Sequence, residues 1–80
     1  MTAELNEVEL DTCGLRCPEP VMMLHRQIRK MAVGEVVFVR ATDTATKRDI
    51  PQFCEFLPHE LIDQREQNNE FCFWIKKGAR

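Results

Sequence analysis

Residues 14–20 read Gly14-Leu15-Arg16-Cys17-Pro18-Glu19-Pro20, and an amphipathic helical pattern follows them directly. Proline is favoured at the first position of a helix, because its missing N–H would have no partner there. This places Cys17 at or just before a helix N-cap, where free backbone N–H groups and the helix dipole stabilise an anion. We therefore expect Cys17 to be a thiolate nucleophile at neutral pH, with Arg16 adding to the effect and Glu19 opposing it. Pro18 and Pro20 would act as rigid helix-start residues that fix the exposure of the sulfur.

The segments next to residues 14–20 predict a strand, a helix and a second strand. Residues 7–11 alternate between acidic and apolar side chains, which indicates a half-buried strand. Residues 18–32 carry apolar side chains at helical spacing, and Gly34 supplies a helix stop. Residues 35–41 are a β-branched run, which favours a central strand buried on both sides.

The second half of the chain predicts a further helix followed by two strands. A polar turn at residues 43–47 leads into a second helix, whose cap we place at Asp49 or slightly earlier because Pro51 fits only near a helix start. Residues 59–66 indicate a weaker strand, residues 67–69 a hairpin turn, and residues 71–75 an aromatic strand. The order βαβαββ predicts an α/β two-layer sandwich, with two helices on one face of a small mixed four-stranded sheet. Residues 1–80 contain no repeat or linker, so we expect a single domain.

Composition and net charge argue against several classes of protein, including membrane-spanning and general nucleic-acid-binding proteins. The chain has 80 residues, 44% of them hydrophobic and 30% charged, which is typical of a small globular protein with one modest core. The longest apolar runs fall far short of the ~20 residues that span a bilayer. The acidic beginning does not resemble a signal peptide, so we expect a cytoplasmic protein without membrane association. The net charge of −2 argues against a general nucleic-acid-binding protein.

Basic side chains concentrate in the middle of the chain. If they share a surface they could steer an acidic partner toward Cys17, and the plainer alternative is a solvated helix face. The residues are Arg16, Arg26, Arg29, Lys30, Arg40, Lys47 and Arg48.

The four cysteines do not form a metal-binding pattern. No pair of cysteine or histidine residues has the spacing of a zinc knuckle, and Cys54 and Cys72 fall on faces predicted to pack. His25 falls on the polar side of the first helix and is expected to be a surface residue. We therefore expect no metal and no organic cofactor. In the absence of a secretory signal, free thiols are favoured over structural disulfides.

Two blocks resemble the TusA/SirA-like family of small sulfur carriers. The first block is residues 14–23, that is, the segment Gly14 to Pro20 quoted above followed by Val21-Met22-Met23. The second block is residues 45–54, which read Ala45-Thr46-Lys47-Arg48-Asp49-Ile50-Pro51-Gln52-Phe53-Cys54. His59-Glu60-Leu61 and Ile75-Lys76-Lys77-Gly78 also occupy places where members have similar residues. The resemblance covers nearly the whole chain.

This resemblance implies a sulfurtransferase-type carrier rather than a small-molecule enzyme. Cys17 would accept persulfide sulfur from a cysteine desulfurase and pass it to a downstream relay protein, ending in 2-thiolation of the wobble uridine of certain tRNAs. Both substrates would be proteins, and the carrier a monomer without stable nucleic-acid binding. The match also makes a role for Arg48 and Asp49 near the Cys17 loop plausible beside capping and surface functions.

Alternatives remain at this point. The carrier could feed molybdenum cofactor maturation or sulfur oxidation, or the protein could be a thiol redox regulator that uses Cys13 and Cys17. Cys13 departs from the family pattern and is four residues from Cys17, unlike the closer pair of thioredoxin-like sites. It is either a resolving thiol, which would form a disulfide with a sulfur-loaded Cys17, or a small buried strand residue.

Overall fold

The computed structural model describes residues 7–78. Its elements, in chain order, are β1 (Glu7–Thr12), α1 (Glu19–Arg29), β2 (Val36–Ala41), α2 (Thr46–Phe56), β3 (Glu60–Gln67) and β4 (Glu70–Lys76). The sheet order is β1-β2-β4-β3, with β1 parallel to β2 and the other two pairings antiparallel. The predicted βαβαββ order and the mixed four-stranded sheet are confirmed.

Strand β2 is central, as predicted, but it is not buried on both sides. Val37, Val39 and Ala41 are fully buried and belong to the face that the helices cover. Phe38 and Arg40 alternate with them and are only half-buried. The helices cover one face of the sheet, so a β-branched run in this fold is shielded fully on that face alone.

Helix α1 is shorter than its apolar pattern predicts. Leu24 and Ile28 are buried as expected, but the helix ends at Arg29 instead of residue 32. The N–H groups of Lys30 and Met31 donate to carbonyls three residues back at 3.0 Å, which tightens the last turn and ends the helix. Gly34, with φ +96°, lies in the turn that leads to β2 and does not cap the helix.

Helix α2 begins earlier than expected, at Thr46 with Ala45 as its N-cap, and Pro51 lies inside it. The start is set by Asp43: its Oδ1 accepts the Ala45 N–H at 3.0 Å, and its carbonyl accepts the Thr46 N–H at 3.0 Å. A side chain that bonds backbone two residues ahead forms a local turn, which here replaces the predicted cap at Asp49. Asp49 is therefore a residue of the helix itself.

The hairpin and the end of the described chain close the sheet. Asn68 and Asn69 have φ values of 52° and 63°, the left-handed conformation that a two-residue hairpin turn requires. Buried His59 stacks on Phe53 with 5.7 Å between ring centroids, and its Nδ1 accepts the Gly78 N–H at 3.0 Å. The hydrogen bond ties the start of β3 to the segment after β4, and the ring stacking ties it to α2.

The parallel pairing of β1 and β2 places two loops side by side. Thr12 at the end of β1 donates its hydroxyl to the Arg40 carbonyl of β2 at 2.6 Å. Just beyond, the Gly14 N–H donates to the Thr42 hydroxyl at 2.8 Å. The loop that carries Cys17 therefore lies against the loop that starts α2, at the carboxyl edge of the parallel strands.

Candidate functional site: the Cys17 loop

Cys17 is exposed and is held by two carboxylates from the second half of the chain. Its backbone N–H donates to Asp43 Oδ2 at 2.5 Å, and its Sγ donates to Asp49 Oδ2 at 3.0 Å. The Cys17–Pro18 peptide bond is cis, and Pro18 is the N-cap of α1. The prediction that Cys17 directly precedes a helix is confirmed.

The expected thiolate is contradicted by these contacts. The hydrogen bond to Asp49 raises the pKa of the Cys17 thiol above its ordinary value of 9.0, and desolvation and the charges of Asp49 and Asp43 act in the same direction. Arg48 opposes this rise. The resting side chain is therefore a neutral thiol that donates a proton to a carboxylate, not a dipole-stabilised anion.

The reason lies in the first turn of α1, which offers the sulfur few N–H groups. Pro18 and Pro20 have none, and the Glu19 N–H is already bound to the Arg16 carbonyl at 2.8 Å. The attraction of a helix start for anions depends on unsatisfied N–H groups, and the prolines that mark this helix also remove them. The same residues that predict the position of Cys17 thus weaken the predicted effect.

The two carboxylates have different tasks. Asp43 accepts the N–H groups of Ala45 and Cys17, and these hydrogen bonds lower the pKa of Asp43 below 3.8. Asp49 has its pKa lowered by the Cys17 thiol and by Arg48, whose Nε lies 3.2 Å from Asp49 Oδ1. Both groups are therefore carboxylates at neutral pH, one fixing the backbone of the loop and the other facing the sulfur.

The other residues singled out in this segment occupy distinct places. Pro20 is fully buried in the first turn of α1, so it anchors the start of that helix. Arg16 is exposed, and its charge contributes to lowering the pKa of Asp43. Glu19 is the exposed first residue of α1. Arg48, and not the neighbouring Arg16, is the cation that lowers the Cys17 pKa.

Sequence reasoning misses Asp43, and for Asp49 it is wrong about the helix cap. The place near the Cys17 loop that the family resemblance implied for Asp49 and Arg48 is confirmed for Asp49 by its contact with the sulfur. The sequence pattern marks Asp43 only as part of a polar turn, and Asp49 mainly as a cap. An acidic residue two positions before a helix N-cap is a signal for a side-chain turn, which could have identified Asp43. The approach of Asp49 to Cys17, 32 residues away, depends on how the two loops pack.

An open groove between α1 and α2 begins beside Cys17, at Pro18 and Asp49. Met22 and Phe56 on its walls have exposed fractions of 53% and 91%. Basic side chains of α1 also line it, namely His25, Arg26 and Arg29. Part of the basic middle of the chain is thus gathered on one wall next to Cys17.

Cys13 has different surroundings from Cys17. It is half-buried just after β1, which contradicts the interpretation as a buried strand residue. Desolvation and the carboxylates of Asp11 and Glu70 raise its pKa to about 11, and Arg40 opposes them. A resolving role for Cys13 stays a prediction.

The remaining cysteines are structural. Cys54 and Cys72 are buried, with exposed fractions of 7% each, and desolvation raises the pKa of Cys54 to about 11. Within residues 7–78, no three acidic, histidine or cysteine side chains are grouped as a metal site would need. In the same range, no helix is long and apolar enough to cross a membrane.

These features define a class of protein: a small α/β sandwich that presents one exposed thiol, hydrogen-bonded to a carboxylate, at the edge of its sheet. Comparison with known proteins makes the assignment specific. The chain belongs to the family described as "Sulfurtransferase TusA", whose profile matches residues 8–77.

Named relatives agree with this membership. The chain is 52% identical over 79 residues to "Sulfur carrier protein TusA" of Pseudomonas entomophila (strain L48), covering 99% of each chain. It is 56% identical over 70 residues to the protein of the same name from Pseudomonas fluorescens (strain SBW25), covering 88% of this chain and 84% of the relative. A crystal structure of a SirA-like protein from Desulfitobacterium hafniense has the same fold, with a TM-score of 0.79 at 20% identity, covering 90% of this chain and 99% of that one.

Proposed function

We propose that this protein is a cytoplasmic sulfur carrier and that Cys17 holds the sulfur as a persulfide. The observation that carries the proposal is the accessibility of one sulfur: Cys17 is exposed, whereas Cys13 is half-buried and Cys54 and Cys72 are buried. The relatives named as sulfur carriers support it. Neither a metal nor an organic cofactor takes part in the proposed transfer.

The proposed donor is a cysteine desulfurase that carries a persulfide. Cys17 sulfur attacks the outer sulfur of that persulfide, the donor S–S bond breaks, and a new S–S bond forms on Cys17. The donor cysteine leaves as a thiolate and takes up the proton that Cys17 gives up. One sulfur atom moves without net oxidation, as in thiol–disulfide exchange. Repetition of the step with a downstream relay protein would empty the carrier.

We propose that the relay ends in 2-thiolation of the wobble uridine of certain tRNAs. The exposed groove beside Cys17, with its basic wall and apolar side chains, supports protein partners on both sides of the relay. A single small domain with one accessible thiol suits a monomer that alternates between these partners.

The test is transfer of labelled sulfur from a desulfurase and cysteine, followed by mass spectrometry. We expect the wild-type protein and Cys13→Ser to gain the mass of one sulfur atom on Cys17, and Cys17→Ser to gain none. Thermal unfolding of Cys17→Ser should match that of the wild-type protein, because the side chain is exposed. Loading of Cys17→Ser at the wild-type level would refute the assignment.

The same measurement separates the rival functions. A Cys13–Cys17 disulfide without added sulfur would indicate a redox regulator instead of a carrier. If Cys17 is loaded with sulfur but deletion of the gene leaves tRNA thiolation unchanged, the carrier serves another pathway, such as molybdenum cofactor maturation or sulfur oxidation. Loss of the 2-thiolated wobble uridine in the deletion strain is the result we expect.

A further inference from the structure

We propose that Asp49 is a positioning residue that holds the sulfur-free Cys17 side chain as an oriented, neutral thiol, and that this hold is lost when Cys17 carries an anionic persulfide. The first half concerns the empty protein alone. The second half rests on the proposed sulfur-carrier function, because it describes the loaded state.

The geometry of Asp49 supports the first half. Its two carboxylate oxygens face different partners: Oδ2 accepts the Cys17 thiol at 3.0 Å, and Oδ1 lies 3.2 Å from Arg48 Nε. The Asp49 side chain is only 18% exposed, so the carboxylate is held in place and not free to swing into solvent. Only a protonated sulfur can donate to it, and a second carboxylate, Asp43, lies on the Cys17 backbone N–H.

The second half follows from the charge of a persulfide. A persulfide is more acidic than a thiol, and its anion has no proton to give to Asp49. The charges of Asp49 and Asp43 then repel the anionic sulfur, whereas Arg48 attracts it. The sulfur would leave Asp49 and turn outward on loading. The same site would thus keep the sulfur-free thiol protonated and slow to react with small oxidants. It would present the persulfide to the acceptor protein.

The experiment measures alkylation of Cys17 by iodoacetamide in the sulfur-free protein. Trypsin cleaves after Arg16, so Cys17 is read in the peptide of residues 17–26, separate from Cys13. Because the thiolate is the reacting species, we expect Asp49→Asn to be alkylated several-fold faster at neutral pH, with its rate–pH curve moved to lower pH. A change of one pKa unit corresponds to about tenfold in thiolate fraction.

Two control variants sharpen the result. Arg48→Gln should slow alkylation, since it removes the cation that opposes Asp49. Asp63→Asn removes one carboxylate at the far strand β3, where Asp63 pairs with Arg65, and should leave the Cys17 rate unchanged. A merely structural role for Asp49 would not move the pH profile in a defined direction. Alkylation of Asp49→Asn at or below the wild-type rate would overturn the first half.

The loaded state is prepared with inorganic polysulfide, from which Cys17 takes one terminal sulfur and leaves a chain one atom shorter. We expect the ratio of alkylation rates between Asp49→Asn and wild-type protein to fall toward one for the persulfide. A ratio as large as in the empty protein would overturn the second half. If polysulfide loads Cys17 but a desulfurase does not, the proposed donor is wrong while both halves of this inference are still decided.

Discussion

Two cysteines four residues apart show how the same side chain receives different properties from its surroundings. Cys17 is exposed and donates its proton to Asp49 across the loop. Cys13 is half-buried beside Asp11, Glu70 and Arg40, at the side of the sheet that the helices leave uncovered. Both have a raised pKa, so acidity alone does not distinguish a carrier thiol from its neighbour.

What separates the two thiols is their exposure to a reaction partner. Cys17 is exposed beside the open groove between α1 and α2, which begins at Pro18 and Asp49, and its thiol donates to the Asp49 carboxylate. Cys13 is half-buried, and desolvation together with a hydrogen bond to Asp11 accounts for most of the rise in its pKa, while Asp11 also pairs with Arg40. Both thiols therefore face a carboxylate that disfavours the thiolate, and exposure to a reaction partner is what distinguishes Cys17.

The largest contrast is expected in alkylation of the wild-type protein. At pH 8 we expect iodoacetamide to modify Cys17 roughly tenfold or more faster than Cys13, because a pKa of about 11 and partial burial leave Cys13 with little accessible thiolate. Tryptic peptides read the two rates in a single sample. Equal rates would remove the distinction between the two cysteines.

The next contrast involves Gly14, which lies between them with φ +87° and has open space where a Cβ would stand, with no atom beyond its chain neighbours within 4 Å. Gly14→Ala should lower the free energy of unfolding by about 1–2 kcal/mol, from backbone conformation alone. Gly34, with φ +96° and equal space, is the matched control. Urea unfolding should show similar losses in both alanine variants, and only Gly14→Ala should change the rate of sulfur loading on Cys17.

A smaller effect is expected from Arg40→Gln. Arg40 lowers the Cys13 pKa, so its removal should raise that pKa further and slow Cys13 alkylation a few-fold at pH 9. Cys17 alkylation in the same sample serves as the internal reference and should not change. A parallel change at both cysteines would mean that the two environments are coupled.

The smallest effect is expected from Asp43→Asn, which weakens the acceptor of the Cys17 N–H. The folded state lowers the Asp43 pKa below 3.8, so its stabilising contribution is present above that pH and is lost as pH falls through the lowered value. The urea midpoint of the variant should therefore lie below wild type at pH 7 and converge with it as pH falls through the lowered pKa of Asp43. A constant difference across this range would contradict the ionic origin of the effect.

Much of the fold was predictable because its signals are local. Helical spacing through Leu24 and Ile28 and the β-branched run of β2 identified their elements without knowledge of neighbours. The ends were harder, because α1 stops in a tightened turn and α2 starts at the Asp43 side-chain turn instead of Asp49. Hydrogen bonds between specific backbone and side-chain atoms decide where a helix begins and ends. The spacing of apolar residues does not predict these hydrogen bonds.

The sequence by itself determined that Cys17 stands directly before a proline-marked helix, because prolines restrict the backbone wherever the rest of the chain lies. Only the tertiary structure decided its protonation. The parallel pairing of β1 and β2 brings Asp43 and Asp49 to the Cys17 loop from 26 and 32 residues away. Electrostatic interactions depend on distance in space, which the sequence does not give. The sequence pattern therefore predicts a thiolate at the helix start, whereas in the folded protein Cys17 is a thiol that donates to a carboxylate.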